Sequence, residues 1–301
     1  MKFVFSKEVK HALDNKLPII ALESTIVTHG MPYPTNVETT RLVENEMRKN
    51  GVTPATIAFI NGEVHVGLTD EELDYIGKTT GTVKISRRDI PVVVAKKLSG
   101  GTTVATTMII ADMVGIRLFV TGGIGGCHKG ANINFDISAD LDELSKTNVA
   151  VICAGPKAIL DIPLTLEYLE TKGVPVLGYK TDRLPLFYSS TSDYDVDYRV
   201  DDPKEFATIM KEKWENNLVG GILITNPIPE AYSLDSKMMN KFIDEAEEEA
   251  IKLGIKGKKI TPFLLDKLAQ LTANESLKSN IQLVLNNARL GIEIIKAYYE
   301  R

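Results

Sequence analysis

Short apolar runs alternate with amphipathic stretches along the chain up to about residue 235. The runs predict strands at 18–22, 55–60, 63–67, 116–121, 149–154, 174–179 and 219–225. The stretches predict helices near 35–50, 69–77, 88–98, 102–114, 138–146, 157–171 and 203–216. Alternation of this kind predicts an α/β fold with a mostly parallel sheet, and Asn61-Gly62 between two strand-like runs predicts one antiparallel hairpin.

The pattern after residue 235 is that of helices only. A stretch rich in Glu, Ala and Lys predicts a helix over 236–253, which Gly254 ends. Two further helices are predicted over 262–272 and 276–299. The chain shows no internal repeat and no low-complexity linker, so we predict a single domain over 1–301 with a helical C-terminal segment.

Composition and charge exclude several classes of protein. Apolar residues make up 44% and charged residues 25% of the 301 residues, which is ordinary globular usage. The net charge of −5 and the lack of a basic block disfavour nucleic-acid binding. No apolar run is long enough to span a membrane, and Cys127 and Cys153 are too few for a disulfide scaffold. We therefore expect a cytoplasmic protein, with Cys153 as a small core residue.

Four unusual clusters each follow a predicted strand. They are Leu22-Glu23-Ser24-Thr25, the Gly-rich segment 121–130, Gly155-Pro156-Lys157, and the segment 225–230. Because ligands of open α/β sheets bind at the carboxyl ends of the strands, we expect these clusters to form one site.

Lys157 is the candidate nucleophile of this site. With Pro156 at a favoured helix start, Lys157 is expected in the first turn of a helix. The positive end of the helix dipole and partial burial would both disfavour the ammonium form. A neutral amine is what attack on a carbonyl-like carbon requires. The alternative is a solvated surface lysine beside a turn.

Two more charged residues are candidates for the same site. Glu23 is the only charged residue between Lys16 and Glu38, so it is either a turn cap or a desolvated acid or base. Lys84 is either a ligand of a phosphate or sugar hydroxyl or a charged residue of an edge strand.

The Gly-rich loop at 122–126 is suited to bring backbone N–H groups close to an anion. It lacks the third glycine of the dinucleotide fingerprint, which argues against a nicotinamide cofactor. The neighbouring His128 is either a ligand contact or a structural histidine.

Carboxylates cluster in the segment 135–140. Ser138 is expected to cap the following helix, while Asp136 and Asp140 are candidates for a hard cation that keeps most of its waters, such as Mg²⁺ or Mn²⁺. The alternative is a pair of capping acids. Asn280, inside an apolar-faced helix, either contacts a base or sugar edge or anchors a neighbouring backbone.

Taken together, these residues resemble the pseudouridine-5′-phosphate glycosidase family, also called the indigoidine synthase A-like family. The matching segments lie at 21–25, 28–34, 86–89 (Ser-Arg-Arg-Asp), 100–108, 121–126, 135–140, 153–157, 226–229 and 261–284. The similarity keeps the same order from about Ala21 to the end of the chain.

The resemblance implies a three-layer α/β/α fold, a homotrimer and a set of roles. Lys157 becomes the Schiff-base nucleophile, Glu23 the general acid/base, and Asp136 the ligand of a divalent cation, typically Mn²⁺. Substrate contacts are implied at Lys84, Val104, Thr121, His128, Ser138, Ala139, Asp140 and Asn280.

The implied reaction is the reversible cleavage of pseudouridine 5′-phosphate to uracil and ribose 5-phosphate. Two other functions fit the candidate residues: a Schiff-base aldolase acting on another sugar phosphate, and a non-catalytic protein that binds nucleotides or sugar phosphates. We expect a small-molecule substrate and no nucleic-acid or membrane partner.

Overall fold

A mostly parallel β-sheet forms the centre of the computed structural model, which describes residues 1–255, 257 and 260–300. Its strands are β1 (Phe3–Phe5), β2 (Ile19–Leu22), β3 (Thr53–Ile60), β4 (Glu63–Val66), β5 (Val83–Ile85), β6 (Gly100–Thr102), β7 (Leu118–Val120), β8 (Ala150–Cys153), β9 (Val176–Tyr179), β10 (Tyr198–Val200) and β11 (Ile222–Thr225). The order across the sheet is β1-β4-β3-β2-β7-β8-β11-β9-β10, with β6 also paired to β3, and β5 to β6.

Helices surround this sheet. They are α1 (Lys7–Asp14), α2 (Thr35–Lys49), α3 (Asp70–Lys78), α4 (Ile90–Ala95), α5 (Val104–Met113), α6 (Ala131–Asn134), α7 (Ala139–Leu144), α8 (Ile162–Thr171), α9 (Pro203–Glu215), α10 (Ser236–Lys252), α11 (Ile260–Leu271) and α12 (Glu275–Tyr299). Helix α12 packs against α2 and α9, and α5 packs against α7. Both α12 and α5 contact the central strands β2 and β7. The predicted α/β fold is confirmed.

The central strands owe their apolar sequences to burial on both faces. Every residue of β2, β8 and β11 is buried, and Cys153 is a core residue as predicted. Parallel strands covered on both sides carry continuous apolar runs rather than alternation. The antiparallel hairpin predicted at Asn61-Gly62 joins β3 to β4. Among the described residues, no helix combines the length and apolarity needed to cross a bilayer.

Short elements escaped the sequence pattern. The three-residue strands β1, β5, β6 and β10 and the helix α1 were not predicted. Three residues are too few to show a period, and the Gly-Gly-Thr sequence of β6 does not favour a strand. β5 matters for the site because it carries Lys84.

The helix predicted over 157–171 begins five residues later, at Ile162. The Asp161 side chain caps that helix by accepting a hydrogen bond from the N–H of Leu164 at 3.1 Å, and Pro163 lies in its first turn. Pro156 instead forms a parallel bridge with Ile124. The prediction that Lys157 lies in the first helical turn is therefore wrong, and the helix-dipole argument for its neutral form does not apply.

Asn287 on α12 connects the helix to the ends of two central strands. Its Nδ2 donates to the Thr121 carbonyl at 2.8 Å, and its Oδ1 accepts from Asn226 Nδ2 at 3.1 Å. The side chain is fully buried. Buried polar groups that lose a partner retain their full desolvation cost, so this amide fastens α12 across the ends of β7 and β11.

We expect Asn287→Ala to lower the free energy of unfolding by roughly 2–4 kcal/mol, because it leaves the Thr121 carbonyl and the Asn226 amide without a buried partner. Urea unfolding of the two proteins measures the difference.

The matched control is Asn45→Ala, which removes an exposed asparagine from the middle of α2. That change should alter the free energy of unfolding by less than about 0.5 kcal/mol. Equal effects of the two substitutions would contradict the bracing role of Asn287.

Candidate active site

The candidate site lies where three neighbouring parallel strands end. β2, β7 and β8 are adjacent in the sheet, and Glu23, the Gly-rich loop and Lys157 follow them respectively. Three of the four predicted clusters therefore meet at one edge of the sheet, as expected. The fourth cluster, at 225–230, lines none of the described cavities. Its Asn226 supports the scaffold through Asn287.

Hydrogen bonds to neighbouring strands hold the loop that carries Glu23. The buried Ser24 hydroxyl donates to the Ile57 carbonyl at 2.6 Å and accepts from the N–H of Thr102 at 2.9 Å. The Thr25 hydroxyl donates to the Thr102 carbonyl at 2.8 Å. Because β3 and β6 thus fix the backbone that follows Glu23, the Glu23 side chain has little freedom to turn away from the site.

The Glu23 carboxyl is enclosed by protein except toward the cavity. Burial is the main influence on it and raises its pKa above the ordinary value. Lys157, a hydrogen bond from the Thr121 hydroxyl, and Lys84 oppose that rise, while Asp140 adds to it. Thr121, a predicted substrate contact, thus directly holds the candidate acid. The arrangement favours a carboxyl group that still carries a proton when exposed carboxylates have lost theirs.

Lys157 lies in an extended loop rather than a helix. Its N–H donates to the Ile124 carbonyl at 3.1 Å, and the Ile124 N–H donates to the Gly155 carbonyl at 3.3 Å, so the two loops continue the pairing of β7 and β8. Gly155 has φ of +93°, and a Cβ there would lie 1.9 Å from the Pro185 carbonyl oxygen. Only glycine fits this turn. Among the described residues, no carboxylate forms an ion pair with the Lys157 amine.

Two adjoining cavities share Glu23, Lys84 and Lys157 in their walls. The larger encloses about 490 Å³ and the smaller about 50 Å³. A ligand whose reacting atom lies beside Lys157 would therefore extend into a different chamber on each side.

The smaller cavity is lined by more apolar than polar surface, and its polar groups include one buried amide. Asn280 on α12 is 6% exposed, and its Oδ1 has no hydrogen-bond partner. That oxygen would lie 3.3 Å from a Cβ built on Gly122, which places it at the Gly-rich loop. The Phe187 ring packs against Gly123 and lines the same cavity. A buried amide oxygen without a partner is ready to accept a hydrogen bond from a ligand.

The larger cavity contains the predicted acidic segment. Ser138 caps α7 as predicted, accepting from the N–H of Asp140 at 3.2 Å. The Asp140 carboxylate accepts from the N–H groups of Ala105 and Gly125, at 2.9 and 2.8 Å. Asp140 thus joins α7, α5 and the Gly-rich loop. This residue, predicted as a substrate contact, therefore has a structural role. The Asp136 carboxylate has neither a hydrogen bond nor an ion pair among the described residues.

Close packing brings the Gly-rich loop onto this acidic segment. A Cβ on Gly125 would lie 2.3 Å from Ser138 Oγ and 2.7 Å from Asp140 Oδ2. The N–H groups of Ile124 and Gly125 are occupied by protein acceptors. These two amides therefore do not serve the anion-binding role that the glycine pattern suggested.

The remaining predicted contacts also line the larger cavity. Val104 and Ala139 are the first residues of α5 and α7 and lie at its wall. His128 donates its backbone N–H to the Asp136 carbonyl at 3.0 Å. Burial lowers the pKa of His128, although Asp136 and Glu247 oppose this. The imidazole is therefore biased toward its neutral form.

The structure adds residues for which the sequence pattern had indicated no role. His29 and Phe187 line the smaller cavity, together with Thr261, Pro262 and Leu265 near the start of α11. Burial, and next the charge of Lys84, lower the pKa of His29. Phe187 lies in a long irregular loop with φ of +54°, so periodicity offers no sign of it. His29 belongs to the segment 28–34, which matches the family, but no chemical role for this residue followed from the sequence.

The fold and this constellation define an α/β protein with a lysine and an enclosed carboxyl at the carboxyl ends of parallel strands. The sequence model described as "Indigoidine synthase A like protein" matches residues 8–297. The chain belongs to this family.

Named relatives are similar over nearly the whole chain. The pseudouridine-5′-phosphate glycosidase of Petrotoga mobilis is 59% identical over 97% of this chain and 95% of its own length. The protein of the same name from Caldanaerobacter subterraneus subsp. tengcongensis is 57% identical, over 96% and 94%. The crystal structure of a prealnumycin C-glycosynthase in complex with ribulose 5-phosphate is 38% identical, with a TM-score of 0.90 over 99% of this chain and 97% of that one.

The raised pKa of Glu23 predicts a pH-dependent effect of Glu23→Gln on stability. A carboxyl whose pKa is higher folded than unfolded favours folding at low pH, and this contribution is lost as pH rises through the folded pKa. The unfolded reference is 4.5. Relative to the wild type, Glu23→Gln should therefore become progressively more stable as pH rises above that value, as measured by urea unfolding across pH 4–8.

Glu71→Gln is the matched control, since Glu71 is an exposed residue of α3. The difference in free energy of unfolding between Glu71→Gln and the wild type should change much less with pH. A Glu23→Gln difference that stays constant over the pH range would show that burial does not govern this carboxyl.

Proposed function

We propose that this chain cleaves pseudouridine 5′-phosphate reversibly to uracil and ribose 5-phosphate. The observation that carries the proposal is the meeting of Lys157 and the enclosed Glu23 in the shared wall of two cavities. Relatives more than half identical to this chain carry the name of this activity. The related C-glycosynthase bound to ribulose 5-phosphate supports a pentose phosphate as the ligand class.

The chemistry of the substrate explains the need for a lysine. Pseudouridine joins the base to ribose through a carbon–carbon bond, so protonation of a base oxygen or nitrogen releases no ordinary leaving group. The paired carboxylates of O-glycosidases would not suffice. A primary amine is suited to the task because its iminium ion withdraws electrons from the bond that must break.

The proposed reaction begins at Glu23. Protonated Glu23 gives its proton to the ribose ring oxygen as the ring opens, which leaves an electron-poor anomeric carbon conjugated to the base. The neutral Lys157 Nζ forms a bond to that carbon. Glu23 takes the proton that Nζ loses and passes it to the base carbon as the carbon–carbon bond breaks, which leaves a lysine iminium. Water adds to the iminium, which releases ribose 5-phosphate and restores the amine and the acid.

The two cavities suggest how the substrate is oriented. We place the base in the smaller cavity, where Asn280 Oδ1 is available to a ring N–H and Phe187 offers an apolar face. The ribose phosphate then extends into the larger cavity, among the predicted contacts Lys84, Val104, Ser138, Ala139 and Asp140, with His128 at its wall. Thr121 acts through its hydrogen bond to Glu23.

Asp136 is the proposed ligand of a divalent cation, with Mn²⁺ as the expected metal. Among the described residues, no cluster of three or more His, Cys, Asp or Glu side chains is arranged for a metal. One unoccupied carboxylate in a roomy polar cavity fits only a hard cation that retains most of its waters. When bound, such an ion supplies positive charge near the sugar phosphate.

The alternatives differ from this proposal in their products. A Schiff-base aldolase would use Lys157 but release no uracil, and a binding protein has no need for a nucleophile beside an acid. The homotrimer implied by the resemblance stays a prediction.

Lys157→Ala should lower uracil release from pseudouridine 5′-phosphate by more than about a thousandfold, because the carbon–carbon bond then lacks its electron sink. In the wild type, borohydride with ribose 5-phosphate should add the mass of a reduced pentose phosphate to Lys157. Peptide mass spectrometry locates the adduct.

The matched control is Lys146→Ala, an exposed lysine just beyond α7. It should keep normal uracil release and normal trapping at Lys157. Uracil release by the wild type without any adduct at Lys157 would eliminate the imine step, and an adduct without uracil release would favour the aldolase.

Treatment with a chelator should abolish uracil release, and Mn²⁺ should restore it. Asp136→Asn should raise the Mn²⁺ concentration needed for half activity by at least about tenfold, because the amide lacks the negative charge that a hard cation prefers. The exposed Asp193→Asn serves as the control. Turnover that is insensitive to chelation would remove Asp136 from a metal role.

A further inference from the structure

The Ser-Arg-Arg-Asp segment at 86–89 is a fixed turn whose first three residues line the larger cavity. The Ser86 N–H donates to Asp89 Oδ2 at 2.8 Å, and the Asp89 N–H donates to the Ser86 carbonyl at 2.8 Å. These reciprocal bonds form a capping box over one turn of 3₁₀-helix. The backbone that carries the two arginines is therefore held in one conformation.

The two neighbouring arginines have different environments. Arg87 donates through Nε and Nη2 to both oxygens of Glu143, the second bond being 2.7 Å long. Glu143 is fully buried, so this bidentate pair neutralises Arg87 and anchors the turn to α7. Arg88 lines the larger cavity, and among the described residues its guanidinium has no hydrogen bond and no ion pair.

Arg88 shares a wall of the cavity with other polar residues of its own segment. Lys84, Ser86 and Arg87 also line the cavity, whereas Ile85 is fully buried. The segment 84–88 thus presents an ammonium, a hydroxyl and a guanidinium along one wall.

Among the described residues, none of the carboxylates that line the same cavity forms an ion pair with Arg88. Asp140 is held by two backbone N–H groups, and Glu23 is biased toward its protonated form. Asp136 lies on the segment 135–140, which belongs to a different loop. A guanidinium has five donors in a planar fork that matches the oxygens of a phosphate monoester. Arg88 therefore lacks an anion that the substrate would supply.

We propose that Arg88 binds the 5′-phosphate of the substrate and thereby sets the preference for a phosphorylated nucleoside; this rests on the function proposed above. Arg88 acts with Lys84 and Ser86, while the Arg87–Glu143 pair positions the turn. The opposing interpretation is an exposed arginine that contacts only water.

The test compares the wild type with Arg88→Gln on two substrates, pseudouridine 5′-phosphate and pseudouridine. Arg88→Gln should lower kcat/KM for the phosphorylated substrate about 30- to 100-fold, mainly through KM, because a charge-assisted bidentate contact is lost. For the unphosphorylated nucleoside the loss should be less than about threefold. Arg88→Lys keeps the charge without the fork and should fall between. The control Lys96→Gln removes an exposed cation just after α4 and should change neither value.

Calorimetric binding of ribose 5-phosphate and of ribose separates this proposal from the reaction itself. Arg88→Gln should weaken ribose 5-phosphate binding by at least about tenfold and leave any ribose binding within about twofold. If the wild type releases no uracil, the proposed function fails, and the binding experiment alone decides the role of Arg88. Equal ribose 5-phosphate affinity in the wild type and Arg88→Gln, or no binding to either, would overturn the role of Arg88, as would an unchanged substrate preference.

Discussion

The structure depends on the enclosure of one carboxyl group beside one amine. Glu23 follows β2 and accepts a hydrogen bond from Thr121, which follows β7, while Lys157 follows β8, the next strand in the sheet. Burial disfavours ionised Glu23, and the charge of Lys157 opposes that effect. An acid and an unprotonated amine are the two reagents that the proposed cleavage requires.

Rigid support for this pair comes from backbone contacts rather than from surface ion pairs. The Ser24 hydroxyl ties the Glu23 loop to β3 and β6, and Gly155 lets the Lys157 loop pass against the Pro185 carbonyl. On the other side, Asp140 gathers α5, the Gly-rich loop and α7. Asn287 on α12 fixes that helix to the same edge of the sheet by donating a hydrogen bond to the Thr121 carbonyl. Hydrogen bonds to fixed backbone groups position side chains more precisely than exposed charge pairs do, because the latter are screened and mobile.

The site is asymmetric in a way that matches a nucleotide. On one side of Lys157 the walls are mostly apolar, with a single unpartnered amide oxygen at Asn280. On the other side the cavity is larger and carries Ser86 and Arg88 on one segment, with Asp136 on another, while Lys84 lies in the shared wall. A flat pyrimidine ring suits the first chamber, and a charged sugar phosphate suits the second. Glu23 and Lys157, the proposed reacting groups, lie in the wall that the two chambers share.

Local patterns in the sequence were sufficient for the class of fold and for much of the site. Buried strands such as β8 show themselves as continuous apolar runs, and Glu23 and Lys157 stood out because they follow such runs. The start of α8 was misplaced because Pro156 and Pro163 both resemble helix starts, and only the pairing of Pro156 with Ile124 distinguishes them. Phe187 gave no signal, and Arg88 belonged to a matching segment without an assigned role, since a chamber wall is assembled from segments distant in the chain. Sequence alone determines which residues favour strand, helix and turn, because those preferences are local. Tertiary packing decides which carboxyl is enclosed, which arginine has a partner and which amide has none. The reason is that burial and pairing depend on neighbours that the chain brings together only on folding.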